Sequence, residues 1–508
     1  MNTLPAIRPT TKNHRTVLAV TCLALATVVS AVSSLNVALP SIARDTHSTQ
    51  TQLTWVIDAY ALTFAALLLL GGAIGDRYGR RRALVVGLAI FGAGSLAAMT
   101  ANNANVLIAM RGVLGLGAAL VMPATLSTLT STFPAEEKGR AIGIWAGVAG
   151  ASAILGLLCS GLLLEQWSWR SVFVLNVVLV AAAVAGTLFA VPESADPDAS
   201  KLDVVGAIIT VVGLGALVYS IIEAPDVGWA SVRTLAGFAI GLVVLGCFIA
   251  WELTQSNPLL DPRLFRHRAF ASGTISISVQ FFAFFGFLFL VLQYLQLVRD
   301  DSPLIAALSL IPMALAMMPC ARAAPLLAAR AGSRTVCVTG LVLIAGALVV
   351  LAQLSTHNPY WLLLGGILPL GAGMGLAMTP ATTAVTEALP LAQQGIGSAM
   401  NDLSRELGGA FGIAVLGSIL QSAYRSHLPL VGLPKPVADQ ARSSLALASR
   451  LGSPVTNQAK AAFTDGIHSA LLCAAAAAAV AAIAVLALLR QRSTDISADG
   501  HPVVPSPW

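Results

Sequence analysis

The residues of this chain able to do chemistry are charges set inside apolar sequence. Asp402, Arg405 and Glu406 stand in SAMNDLSRELGGAFGIAVLGSIL (398–420). Residues three and four apart share one face of a helix. As a helix, the stretch therefore presents two carboxylates and one guanidinium side by side. One arginine neutralises one carboxylate and leaves the second partly uncompensated. That arrangement suits a group that takes up and releases a proton, with the trio titrating as a unit. The same charges would also serve as an ion-pair network locking helices together. Gly408, Gly409 and Gly412 follow within two turns and allow close approach of a neighbouring helix.

Further charges interrupt apolar runs elsewhere. Asp58 follows Trp55 and precedes Tyr60, aromatics that suit a membrane interface. It reads either as a second proton or cation site or as a hydrated interfacial acid. Arg111 opens RGVLGLGAALVMPATL and is expected to find a carboxylate partner, Asp58 among the candidates. Arg322 is expected to extend its head toward water. Phe281, Phe285 and Phe289 belong to a phenylalanine-rich run, and Trp145 stands in another apolar segment. Such rings offer stacking surfaces for flat or cationic ligands. No phosphate-binding loop, catalytic triad or metal-spaced His/Cys set occurs in the sequence, so the expectation is a protein that is not an enzyme and uses no cofactor or metal. Cys22, Cys159, Cys247, Cys320, Cys337 and Cys473 all lie in apolar stretches and read as buried small hydrophobes.

The elements that position these residues follow from composition. Hydrophobic residues make up 56% of the 508 and charged residues 10%, with a mean hydropathy of +0.81. Soluble domains carry about 25% charge. Soluble, disordered and fibrous chains are excluded, and continuous apolar runs exclude a membrane β-barrel. The chain reads as an all-α polytopic membrane protein. Fourteen runs are long enough to cross a bilayer: 16–40, 54–74, 83–103, 105–129, 142–164, 171–191, 204–224, 234–253, 271–295, 303–327, 334–354, 360–382, 396–424 and 466–489. They are numbered spans 1 to 14. The first is too long for a signal peptide. If the N-terminus is cytoplasmic, the inner segments hold 17 Lys/Arg against 9 outside, the sign of the positive-inside rule. Both termini are thus expected in the cytoplasm of a cell whose plasma membrane holds the protein. No basic domain exists to meet nucleic acid.

GDRYGRRR (75–82) joins spans 2 and 3, and AARAGSRT (328–335) joins spans 10 and 11. Arg77, Gly79 and Arg81 align with Arg330, Gly332 and Arg334. Eight spans separate the copies, as in a six-plus-six repeat with two helices inserted in the middle. The stretch with Gly72, Asp76, Arg77, Gly79, Arg80 and Arg81 resembles the loop signature of the major facilitator superfamily. Arg111 and Gly115 resemble its fourth-helix motif. NVALPSI (36–42), LTWVIDAYALTFAALLL (53–69), NPLLDPRLFRHRAF (257–270) and the 398–420 stretch resemble the fourteen-helix drug:proton antiporter family.

The resemblance implies a major facilitator fold: an N-terminal six-helix bundle (1–191), two extra linking spans (192–268), a C-terminal bundle (269–490) and a cytoplasmic tail (491–508). It implies a monomeric exporter of small amphipathic compounds, driven by protons and seated in the lipid bilayer. Asp76 would latch the halves by facing the N-terminal end of span 13. The ninth span would line the cavity. Two positions depart from the family. Its usual first-helix aspartate is Ala31, and its fifth-helix G-P reads Gly156-Leu157, with Ser160 at a later glycine. Gly143, Gly147, Gly150 and Gly161 are expected to keep span 5 closely packed. These departures leave room for an uncoupled transporter of a lipid or metabolite. A transport-dead sensor or scaffold is a more remote reading, since no soluble output domain is present.

Overall fold

A computed structural model describes residues 11–196, 202–255, 258–357, 359–389, 394–428 and 434–489. The tail 491–508 lies outside them. Among the described residues fourteen helices are long and apolar enough to cross a membrane, and no strand occurs. Spans 1 to 6 run His14–Thr46, Gln50–Tyr78, Arg80–Met99, Ala104–Thr132, Glu136–Gln166 and Arg170–Ala190. Spans 7 and 8 are Val204–Val227 and Val232–Thr254. Spans 9 to 14 are Arg268–Val298, Pro303–Ala331, Ser333–Leu351, Tyr360–Glu387, Ile396–His427 and Ser453–Leu488.

Several helices outrun their apolar stretches. Span 2 starts at Gln50 because Thr49 and Gln52 form a reciprocal capping box. Span 14 gains three polar turns from Ser453, since backbone hydrogen bonding continues past the apolar stretch. Fourteen passes bring the start of span 1 and the end of span 14 to one end of the bundle, here the near end. The near end also carries the turn at 76–82, and the opposite end is the far end.

Two six-helix groups emerge from the packing. Span 1 packs on spans 5 and 6, and span 4 on spans 2 and 3; span 9 packs on spans 12, 13 and 14, and span 12 on spans 10 and 11. The groups meet where span 2 crosses span 13 and span 5 crosses span 10. The inserted pair is central in sequence only. Span 7 lies against spans 2 and 13, and span 8 lies beyond it, with most of its residues exposed on the side that lipid would cover.

The repeat seen in the sequence holds in the backbone. Gly79 (φ +115°) and Gly332 (φ +86°) both take conformations that favour glycine, each between two helices. Between spans 13 and 14 two short helices, Lys435–Ser443 and Leu445–Ala448, are separated by Ser444 in extended geometry, whose hydroxyl caps the second. Other expectations need correction. Cys159 and Cys247 are exposed rather than buried, being apolar enough to face lipid. Gly143, Gly147 and Gly150 face open space instead of packing span 5. The glycines of the far part of span 5 are tight: a Cβ on Gly156 would stand 2.7 Å from Ser30 O, and one on Gly161 3.0 Å from Leu304.

Candidate functional site

Span 13 owes its position to two small residues. A Cβ on Gly408 would collide with Ser278 O, and one on Gly412 with Phe282 O. The absence of side chains there lets the backbone of span 9 come into contact. Leu403 and Ser404 turn into the packing, while Asp402, Arg405 and Glu406 keep partial exposure. Arg405 Nη1 lies 3.8 Å from Asp402 Oδ1, with 29% and 14% of the side chains exposed. Glu406 has no ion pair among the described residues within the same reach. The Arg405 guanidinium stands 4.7 Å above the Phe281 ring, a cation–π contact. Phe281, Phe284 and Phe285 form an aromatic cluster with centroids 5.1–6.3 Å apart. The close helix contact thus brings two acids, one base and an aromatic surface together, leaving one carboxylate without a counter-ion.

Asp58 is not the hydrated interfacial acid considered above. It stands eight residues past Gln50, about 12 Å along the helix, and is 0% exposed. Neither carboxylate oxygen has a hydrogen-bond partner among the described residues. Nor does Arg111 pair with it. The buried Arg111 donates from Nε to Val56 O at 2.8 Å and stacks 4.4 Å over the Tyr60 ring. A backbone carbonyl and a π face take the place of the expected carboxylate. Gly115 makes room beneath: a Cβ there would lie 2.5 Å from Tyr60 O. Arg322 is exposed.

At the near end Asp76 accepts from Arg80 Nε and Nη2, both at 2.9 Å. A Cβ on Gly72 would lie in ordinary contact with Pro123, at 3.5 Å, and Arg77 lies over the ring of Tyr78. The segment after span 6 wraps this turn, a feature the motif alone did not disclose. Arg80 N donates to Ser194 O (2.8 Å), and Asp196 N to Asp76 O (2.8 Å). Glu193 accepts from Arg81 N (3.2 Å) and lies 3.6 Å from Arg82, while Arg81 Nη2 reaches Leu188 O (2.6 Å). The acidic run ESADPD (193–198) was the available signal. The turn leading into span 13, 390–393, lies outside the described residues.

The remaining candidates are dispersed. Trp145 is buried and donates to Thr125 Oγ1 at 3.1 Å. Phe289 is fully enclosed at the far end, near Gly417, apart from Phe281 and Phe285. Ala31 is 1% exposed; beside it Gly156 abuts Ser30, and Ser160 Oγ donates to Ser34 O at 2.7 Å. The departures from the family sequence thus cluster at one tight crossing of spans 1 and 5. Toward the far end Gln296 Nε2 donates to Val37 O (2.9 Å) and Leu304 N to Glu165 Oε1 (3.3 Å), joining the two six-helix groups there.

Known proteins share this organisation. The bacterial homologue of the human lysosomal transporter Spinster, solved inward-facing and unoccupied, superposes with a TM-score of 0.67 at 15% identity, covering 96% of this chain and all of that one. At that identity the likeness speaks for the fold. In sequence, the chain is 37% identical over 387 residues to the multidrug resistance protein Stp of Mycobacterium tuberculosis, covering 76% of this chain and 72% of that protein. It is 34% identical to the multidrug efflux pump LfrA of Mycolicibacterium smegmatis, covering 90% and 93%. It is 33% identical to the methyl viologen resistance protein SmvA of Salmonella typhimurium, covering 86% and 89%. Residues 21–413 match the sequence model of the Major Facilitator Superfamily, and with its fourteen spans and paired six-helix groups the chain belongs to that superfamily.

Proposed function

We propose that the protein is a secondary transporter that exports small amphipathic compounds, often cationic and aromatic, in exchange for protons. The observation that carries this reading is the span 13 face. Asp402 pairs with Arg405, Glu406 has no ion pair among the described residues, both acids remain partly open, and Arg405 stacks on Phe281 of the Phe281–Phe285 cluster. A carboxylate without a counter-ion binds either a proton or a cationic ligand. Competition between the two is sufficient for antiport: protonation releases the cation and deprotonation admits it. Aromatic and apolar walls hold ligands by burial, worth about 25 cal/mol per Å², and discriminate weakly by shape. Broad recognition follows, in keeping with relatives named for multidrug efflux and methyl viologen resistance.

In this reading the near end faces the cytoplasm, as the Lys/Arg bias requires. The protein works as a monomer in the cell membrane. Asp58 is a secondary proton site, and Arg111 a positioning residue that holds Tyr60 and the span 2 backbone. Gly72, Asp76, Arg77, Gly79, Arg80 and Arg81 act as a near-end gate. When that end closes, Asp76 meets the N-terminal end of span 13, where the helix dipole favours an anion by about 0.3–1 kcal/mol. The test is binding of a fluorescent lipophilic cation to purified protein at several pH values. Affinity should fall as pH is lowered. Affinity independent of pH defeats the competition, and selective tight binding of a sugar defeats the substrate class.

A further inference from the structure

The inserted pair is held differently at its two ends. Toward the far end, polar contacts fasten span 7 to both six-helix groups. Trp55 Nε1 donates to Glu223 Oε1 (2.9 Å), Ser418 Oγ to Ile221 O (2.7 Å), and Arg425 Nη1 to Pro225 O (2.8 Å). Toward the near end these contacts give way to an apolar crevice of about 120 Å³. It lies between span 2 (Leu69), span 7 (Leu214), span 8 (Phe248), span 13 (Leu403, Leu407) and Leu260. The hydroxyl of Thr210 is the one polar side chain in its lining. The outer faces of spans 7 and 8, with Ile208, Val212, Leu242 and Ile249 exposed, are the surface that lipid would cover.

Just past Leu260 the chain forms the short helix Pro262–Arg266 and enters span 9. Arg263, Phe265, Arg266 and Arg268 are exposed there. Among the described residues no neighbouring acid forms an ion pair with these guanidinium groups; Arg263 Nη2 donates to Leu253 O (3.2 Å), and Oε1 of Glu252 has no hydrogen-bond partner. Asp203 accepts from Trp251 Nε1 (3.0 Å) and Gly206 N (2.8 Å). Asp261 accepts from Arg263 N (2.9 Å), and the buried Glu252 from Leu260 N (3.4 Å). An apolar slot among membrane helices therefore opens beside a cationic rim with an exposed aromatic ring. This combination suits a headgroup phosphate with a chain attached.

We propose that an anionic phospholipid of the bilayer seats here, with part of an acyl chain in the crevice and its phosphate on Arg263 and Arg266. Spans 2 and 13 belong to different six-helix groups, so a chain lodged between them and the inserted pair bears on both. The site is separate from the span 13 charges, and its test does not depend on which substrate is carried or how transport is driven.

Native mass spectrometry of the purified full-length protein, equilibrated with equal phosphatidylglycerol and phosphatidylcholine, reads the retained lipid. The wild type should keep phosphatidylglycerol with about tenfold preference. R263Q/R266Q, altered only at exposed side chains, should lose that preference. Thr210→Phe, which fills the crevice and leaves the arginines intact, should cut retention of either lipid. Equal retention of both lipids by the wild type overturns the proposal, as does a preference unchanged in R263Q/R266Q. Wild-type retention in Thr210→Phe overturns the crevice as the seat of the chain.

Discussion

Replacing Gly79 or Gly332 by alanine separates the two constraints on the repeated turn. Both glycines sit at positive φ, +115° and +86°, where a side chain costs about 1–3 kcal/mol. A chain of 508 residues has an unfolding entropy of about 1 kcal/mol per kelvin at the usual value per residue. Strain alone should thus lower the thermal midpoint by about 1–3 °C. Gly332→Ala should show this effect and no more, because nothing lies within 4 Å of the added Cβ. Gly79→Ala adds a second cost. Its Cβ would stand 2.5 Å from Glu193 Oε1, displacing the carboxylate from Arg81 N and Arg82. Loss of one exposed hydrogen bond and one surface ion pair adds about 1–2 kcal/mol. Since Glu193 holds the span 6 segment against the turn, Gly79→Ala should also slow transport. The assay is thermal unfolding in one detergent for Gly79→Ala, Gly332→Ala, Glu193→Ala and G79A/E193A. The cycle should recover the second cost as a coupling between positions 79 and 193. A Gly332→Ala midpoint equal to wild type would refute the strain argument. Equal losses in the two glycine variants would refute the clamp.

Asp76→Asn should leave the thermal midpoint within about 1 °C, because the Arg80 pair it weakens is partly exposed. It should slow turnover and raise the accessibility of near-end cysteine probes; unchanged turnover and labelling would count against the gate. Asp58→Asn removes a fully enclosed carboxyl that has no partner among the described residues. It should hold or raise the midpoint while lowering proton-driven transport, as checked by unfolding and vesicle uptake on one preparation. Arg111→Lys keeps the charge but loses the planar stack on Tyr60 and the Nε bond to Val56 O. A destabilisation of about 2–3 kcal/mol is expected; a midpoint equal to wild type would contradict the positioning role.

The sequence disclosed most of the architecture, because the bilayer demands apolar runs of fixed length and the turns between them carry charge. The number of spans, the paired repeat and the close approach of a neighbouring helix at the span 13 glycines were all readable, though not that span 9 is that neighbour. So was the shared face of Asp402, Arg405 and Glu406, which a helix of 3.6 residues per turn imposes. What escaped depends on neighbours distant in sequence. The burial of Asp58 follows from which face of span 2 meets its neighbours, and periodicity within the span does not reveal that. Arg111 was matched to a carboxylate on charge alone, and the structure gives it a carbonyl and a ring, with Nη2 left without a hydrogen-bond partner among the described residues. The span 5 glycines resembled a packing stripe, yet most face open space. Glu193 went unnoticed because a short acidic run after a helix looks like any solvated loop.

The central claim is that the carboxylates of span 13 couple export to protons. Its most direct test is purified wild type and the D402N/E406Q variant in proteoliposomes with an imposed pH gradient, monitoring a lipophilic cation and internal pH together. The wild type should move cation and protons in opposite directions, and the double variant should show no substrate-dependent proton movement. Substrate-dependent proton movement at the wild-type rate in the double variant would contradict the claim and transfer coupling to Asp58.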